Sequence, residues 1–97
     1  MRLELSPFVE EDLDAIAAYI AQDNPARAVT FIRDIRAKFR DVHRTPLLYQ
    51  LRPDIGEEAR MATVGRCAIL FRVVGEAVRI ERVAYGGRDL PSVFDPS

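Results

Sequence analysis

Arginine supplies nearly all the cationic chemistry available to this sequence: Lys38 is its single lysine, and every other base is arginine. Cleaving a phosphodiester without a metal needs cations that stabilise the developing phosphorane charge and a tyrosine or carboxylate that moves a proton. Arg60, Arg66, Arg72, Arg79, Arg82, Arg88 and Tyr85 supply those types in the second half of the chain, so a metal-independent phosphodiesterase acting on RNA is one chemistry the residues support. Nucleophilic and metal chemistry have less to work with. His43 is the one side chain that titrates near neutral pH unperturbed. It sits among arginines in the last turn of a helical pattern, where the dipole favours a structural role. Cys67 lies inside an apolar run with no histidine nearby in sequence, which reads as a small buried residue rather than an activated thiol. One cysteine and one histidine assemble no zinc or iron–sulfur ligand set, so neither metal nor cofactor is expected.

A second pattern suits binding. Arg33, Arg36, Arg40 and Arg44 share one arc of a helix and form a continuous basic stripe. Residues 1–24 carry six acids and one base, whereas residues 25–53 carry seven bases and two acids. Two packed helices neutralising each other would explain that asymmetry, and so would a charged partner surface. Specific DNA recognition by the chain alone is not expected.

The elements that must position these residues follow from periodicity. Ninety-seven residues make one domain, and 48% hydrophobic with 30% charged residues is a globular balance. No apolar run approaches the roughly 20 residues of a membrane helix, and the N-terminus lacks a signal layout; a cytoplasmic protein with no membrane partner is expected. Arg2 to Leu5 alternates as a short strand, and Ser6-Pro7 reads as an N-cap plus first helical residue. Val9, Leu13, Ile16 and Ile20 build one apolar stripe, with Glu10, Glu11 and Asp12 suiting the dipole of the first turn. Asn24-Pro25 repeats the cap signal, ending the first helix near Gln22 and opening a second in a tight hairpin. Ala28, Phe31, Ile32, Ile35, Phe39 and Val42 are the core face of that second helix. Residues 45–58, with two prolines and an acidic cluster, read as an irregular connector.

The last third changes period. Residues 59–64, 67–74 and 77–85 are apolar runs broken by Gly65-Arg66 and Gly75-Glu76, the pattern of two tight hairpins. Simple alternation in the final strand puts Val78, Ile80, Arg82 and Ala84 on one face and Arg79, Glu81, Val83 and Tyr85 on the other. Neither is a clean core face, so Arg82 either lies at the rim or pairs with a carboxylate under the helical hairpin. The order is β-α-α-β-β-β, an α+β fold with the helical hairpin packed on a curved antiparallel sheet.

That order, the segment Gly65-Arg66-Cys67-Ala68-Ile69-Leu70-Phe71-Arg72-Val73, the hairpin residues Asn24, Pro25 and Ala28, and the tail Tyr85-Gly86-Gly87-Arg88-Asp89-Leu90-Pro91 resemble the ParE/RelE superfamily of toxins from type II toxin–antitoxin modules. The resemblance covers nearly the whole chain and implies a growth-arresting toxin, of the kind that also stabilises plasmids, held inactive by a small antitoxin over the helical hairpin and sheet. RelE-like members cut messenger RNA on the ribosome with strand lysines, a tyrosine-arginine pair, and an arginine and tyrosine after the last strand. Here Cys67-Ala68 stands at the pair, Leu90 and Phe94 stand in the tail positions, and no lysine follows Lys38. A shift of one position in the pairing leaves Arg66 or Arg88 available to that chemistry.

ParE-like members are inhibitors of DNA gyrase, and the tail and missing nuclease side chains are more similar to that branch. On the resemblance, Arg88, Asp89, Leu90, Val93 and Phe94 form the target-binding segment, with Arg88 and Asp89 ordering the end of the sheet. The Arg33, Arg36, Arg40 and Arg44 stripe meets a ParD-like or other small antitoxin. A ribosome-dependent ribonuclease using Arg60, Arg82, Tyr85 and Arg88 is the enzymatic alternative, and an inactive antitoxin-binding homologue is the third.

Overall fold

Asn24 starts the longest element as expected: its Oδ1 accepts the Arg27 N–H at 3.0 Å, and Pro25 occupies the first turn, where its missing N–H costs nothing. In the computed structural model, which describes residues 1–86, this helix α2 runs Pro25–Arg44 and buries Ala28, Phe31, Ile35, Phe39 and Val42. Ile32 packs partly buried against the same core. Helix α1, Val9–Ala21, lies antiparallel beside it and buries Val9, Leu13 and Ile16. The expected cap at Ser6 is displaced. Ser6 Oγ accepts the Phe8 N–H at 3.3 Å and donates to the Glu81 carbonyl at 2.5 Å, so a turn intervenes and the helix begins at Val9.

The sheet has the order β1-β4-β3-β2, with β1 at Arg2–Leu5, β2 at Arg60–Val64, β3 at Cys67–Val74 and β4 at Ala77–Tyr85. The α+β architecture with a helical hairpin on one sheet face is as expected, but the sheet is mixed. β1 runs parallel to β4, Arg2 opposite Ala77 through Leu5 opposite Ile80, while β2, β3 and β4 form the antiparallel meander. The helical hairpin is the long crossover a parallel neighbour requires. Gly65 and Gly75 open the two hairpin turns at φ 55° and 57°. Each stands first in a two-residue turn, as the type II′ geometry demands.

A bulge corrects the alternation in β4. Leu70 pairs with Arg82 and Phe71 with Ile80, leaving Glu81 as the extra residue. Its insertion shifts the phase, so Val78, Ile80, Val83 and Tyr85 all join the core beneath the helices. Ile69, Phe71 and Cys67 complete that core from β3. On the opposite face Ala59, Leu70 and Ala84 form a smaller cluster with Ile55 from the connector, which is irregular apart from a 3₁₀ turn at Pro46–Leu48.

β1 stops at Leu5, opposite Ile80, so among the described residues no strand lies beside β4 from Glu81 onward. Side chains of the first turns take over. Beyond the Ser6 bond, Asp12 Oδ2 accepts the Val83 N–H at 2.9 Å and Arg82 Nε at 2.9 Å, and Oδ1 accepts Arg82 Nη2 at 3.0 Å. The Asp12 side chain is only 13% exposed. The Phe8 ring stacks on the Arg82 guanidinium at 5.1 Å. Arg82 therefore pairs with a carboxylate under the hairpin, as expected.

Asp12→Ala removes the acceptor of three hydrogen bonds and is expected to destabilise the fold by about 2–3 kcal/mol, read as a lower urea midpoint. The second prediction concerns Cys67, which is 1% exposed and whose thiol burial pushes up to about 12. An unfolded thiol ionises near about 8.5, so above that pH the unfolded state loses its proton while the folded state keeps it. Stability is expected to fall as pH rises from about 8.5 toward 12, and Cys67→Ala is expected to lack that part of the loss in urea titrations at stepped pH.

Candidate functional site

The open end of β4 and the exposed side of α1 enclose a cleft of about 480 Å³ lined by Asp12, Tyr19, Arg66, Arg82, Val83 and Tyr85. Its floor is strand edge. Because the Val83 N–H points to Asp12, alternation along the strand aims the main-chain groups of Tyr85 to the same side. The Tyr85 ring packs between Tyr19 of α1 and Phe31 of α2, with centroids 5.8 Å apart in both cases. Arg27 lies over Phe31 at 5.0 Å. Aromatic walls, a cation at Arg66 and strand-edge groups with no partner among the described residues are the features an extended peptide uses when it adds to a sheet.

The residues of the ribonuclease alternative are not all brought together. Arg82 and Tyr85 share the cleft, and Arg66 joins them from the β2–β3 turn. Arg82 is held bidentate by Asp12, so its charge is already matched. Arg60 lies at the far end of β2, opposite Phe71, whereas Tyr85 is opposite Cys67. Its Nη1 donates to the Tyr49 carbonyl at 2.6 Å and ties down the connector. Arg88, Asp89, Leu90, Val93 and Phe94 lie outside the described residues.

The basic stripe on α2 divides by partner. Arg36 Nη2 donates to both oxygens of Glu10 at 2.9 and 3.0 Å, so part of the charge asymmetry is neutralisation between the two helices. Arg44 pairs with Asp41 one turn earlier. Arg33 and Arg40 are exposed and have no ion pair among the described residues. Between α2 and the 3₁₀ turn lies an apolar recess of Met1, Pro46, Leu47, Leu48 and Val73, with Arg44 at its rim.

The remaining candidates hold the fold. His43 Nε2 bonds the Met1 carbonyl at 2.5 Å, joining the end of α2 to the start of β1. Cys67 is buried with its thiol protonated across the neutral range. Among the described residues, no group of three or more His, Cys, Asp or Glu side chains could hold a metal ion, and no helix is long and apolar enough to cross a membrane. Sequence reasoning missed the roles of Asp12 and Tyr19. The helix dipole already accounted for the first, and nothing local distinguishes the second from an ordinary exposed tyrosine.

Comparison with known proteins adds to this geometry. A search of curated proteins found no match. Among solved structures, the chain is similar to one from the chromosomal ParDE toxin–antitoxin system of P. aeruginosa, at 25% identity and TM-score 0.76, covering 88% of this chain and 95% of that one. It is also similar to a chain of the toxin–antitoxin complex RelBE2 from Mycobacterium tuberculosis, at 25% identity and TM-score 0.56, covering 88% and 96%. The family model for the ParE toxin of the type II toxin–antitoxin system parDE matches residues 3–90, and the chain belongs to that family.

Proposed function

We propose that this protein is the toxin of a cytoplasmic toxin–antitoxin pair, that it inhibits DNA gyrase by binding, and that a ParD-like antitoxin neutralises it. The observation that carries the binding reading is the state of the arginines. Arg82 is matched by Asp12 and Arg60 by the Tyr49 carbonyl, so two of the cations a nuclease would need are committed to the fold. A phosphorane needs cations free to converge on it, whereas an inhibitor that only binds needs complementary surface. The antitoxin partner is supported by the family match and by the two toxin–antitoxin systems among the structural relatives. On this reading Arg88, Asp89, Leu90, Val93 and Phe94 make the contact with gyrase, and the antitoxin lies over the helical hairpin and along the open β4 edge.

The test of function is a supercoiling and cleavage-complex assay with purified gyrase, with and without the product of the neighbouring gene. Inhibition relieved by that product is expected. Codon-phased breaks in cellular messages, mapped by primer extension after expression, would replace this reading with the ribonuclease. Absence of both effects, together with no growth defect, would leave an antitoxin-binding homologue.

For the antitoxin contact, charge reversal at Arg33 and Arg40 is expected to weaken binding at least about tenfold, or about 1.4 kcal/mol. It should also flatten the dependence on salt, measured by calorimetry at two ionic strengths. An unchanged affinity would remove the stripe from the interface. Arg36 is a poorer site for this experiment because reversal there also breaks its pair with Glu10.

A further inference from the structure

On the sheet face away from the helices, the β3–β4 register places Arg72 directly opposite Arg79. Like charges facing each other across paired strands destabilise a sheet, so each guanidinium calls for an anion. Arg79 has acids at hand. Its Nε lies 2.8 Å from Glu81 Oε1, in ion-pair range but too poorly aligned for a hydrogen bond, and Glu4 of β1 is its register neighbour. Glu4 also stands 3.4 Å from Arg2.

Arg72 has no such company. Among the described residues its side chain makes no ion pair, and its Nε is buried without a hydrogen-bond partner. The guanidinium lies against the connector. Gly56 of the connector lies so close that a Cβ there would stand 2.6 Å from Arg72 Nη2, a contact that real side chains do not make. A half-buried cation with an unmatched donor and no anion beside it among the described residues leaves a place that a partner's anion can fill.

We propose that Arg72 and Arg79 form a receptor for a carboxylate carried by a protein partner. The surroundings select that class of anion. Glu4 and Glu81 on the strands, Glu57 and Glu58 beside Gly56 in the connector, and Glu76 in the hairpin turn would repel a phosphate backbone. A single carboxylate can bridge the two guanidinium groups with charge-assisted bonds without bringing a row of further charges. Val74, 52% exposed and two residues beyond Arg72 on the same face, adds an apolar contact, so the partner's acid is followed by an apolar side chain. The receptor is separate from the α1–β4 cleft and from the α2 stripe, and it stands whether the target is gyrase or not.

The test is NMR of the arginine Nε–Hε signals in the full chain at constant ionic strength. One arm adds a capped dipeptide of glutamate followed by valine, and the other adds a thymidine oligonucleotide. The Arg72 and Arg79 signals are expected to shift saturably with the peptide and not with the oligonucleotide, and Arg79→Gln is expected to abolish the shift at Arg72. No saturable shift with the peptide overturns the proposal, and so does tighter binding of the oligonucleotide. Thermal melts separate a receptor from a structural arginine. Arg72→Gln is expected to leave Tm unchanged or raise it, whereas a fall of more than about 4 °C would mark Arg72 as part of the fold's own support and overturn the proposal.

Discussion

The Asp12 carboxylate closes a gap the topology creates. β1 is four residues long and ends beside Ile80, while β4 continues to Tyr85, so among the described residues the central strand becomes an edge strand halfway along. An exposed edge invites pairing with other chains and leaves donors unsatisfied. Asp12 answers both problems from the first turn of α1 by accepting the Val83 N–H and clamping Arg82. With Ser6 on the Glu81 carbonyl, it fixes the angle at which the helical hairpin meets the sheet. The bulge at Glu81 belongs to the same device, since it turns Val83 and Tyr85 inward at the point where the helix takes over from the strand.

The cleft follows from this arrangement. Past Asp12 no further side chain of α1 bonds the strand edge, and Ala15 and Ala18 in the next turn are small and exposed. The Tyr85 main chain and the Tyr19 ring thus border the cleft. A toxin restrained by a partner needs such a surface, because backbone pairing supplies affinity while neighbouring side-chain sites supply selectivity.

The arginines of the described residues divide between structure and surface. Arg36, Arg44, Arg60 and Arg82 each have a partner within the chain, two of them binding helix to helix or helix to strand. Arg33, Arg40 and Arg72 have no ion pair among the described residues, the first two on one face of α2 and the third on the sheet face away from the helices. A guanidinium presents a planar fork that suits carboxylates in both settings, which explains how one residue type can brace a small fold and also face its partners.

The local signals were legible in the sequence. Asn24-Pro25 located the start of α2 because a cap and its proline act within one turn. The spacing of Phe31, Ile35, Phe39 and Val42 gave the core face because helical period is a local property, and the glycine pairs gave both hairpins because their turns require positive φ. The order of the elements, the segment from Gly65 to Val73, the hairpin residues Asn24, Pro25 and Ala28 and the tail from Tyr85 to Pro91 carried the family resemblance as well. Parallel pairing of β1, the Asp12–Arg82 clamp and the approach of Arg72 to Gly56 were not legible, since each joins residues far apart in the chain through a contact that no periodicity encodes. The phase of β4 was misread for the same reason: the pattern after Ile80 follows a strict alternation only if Glu81 is counted, and the register with β3 alone decides that it is skipped. Sequence by itself determined the elements, their order and their apolar faces. Tertiary structure decided which charges are matched within the fold and which are not, because that balance depends on distances between elements rather than on spacing within them.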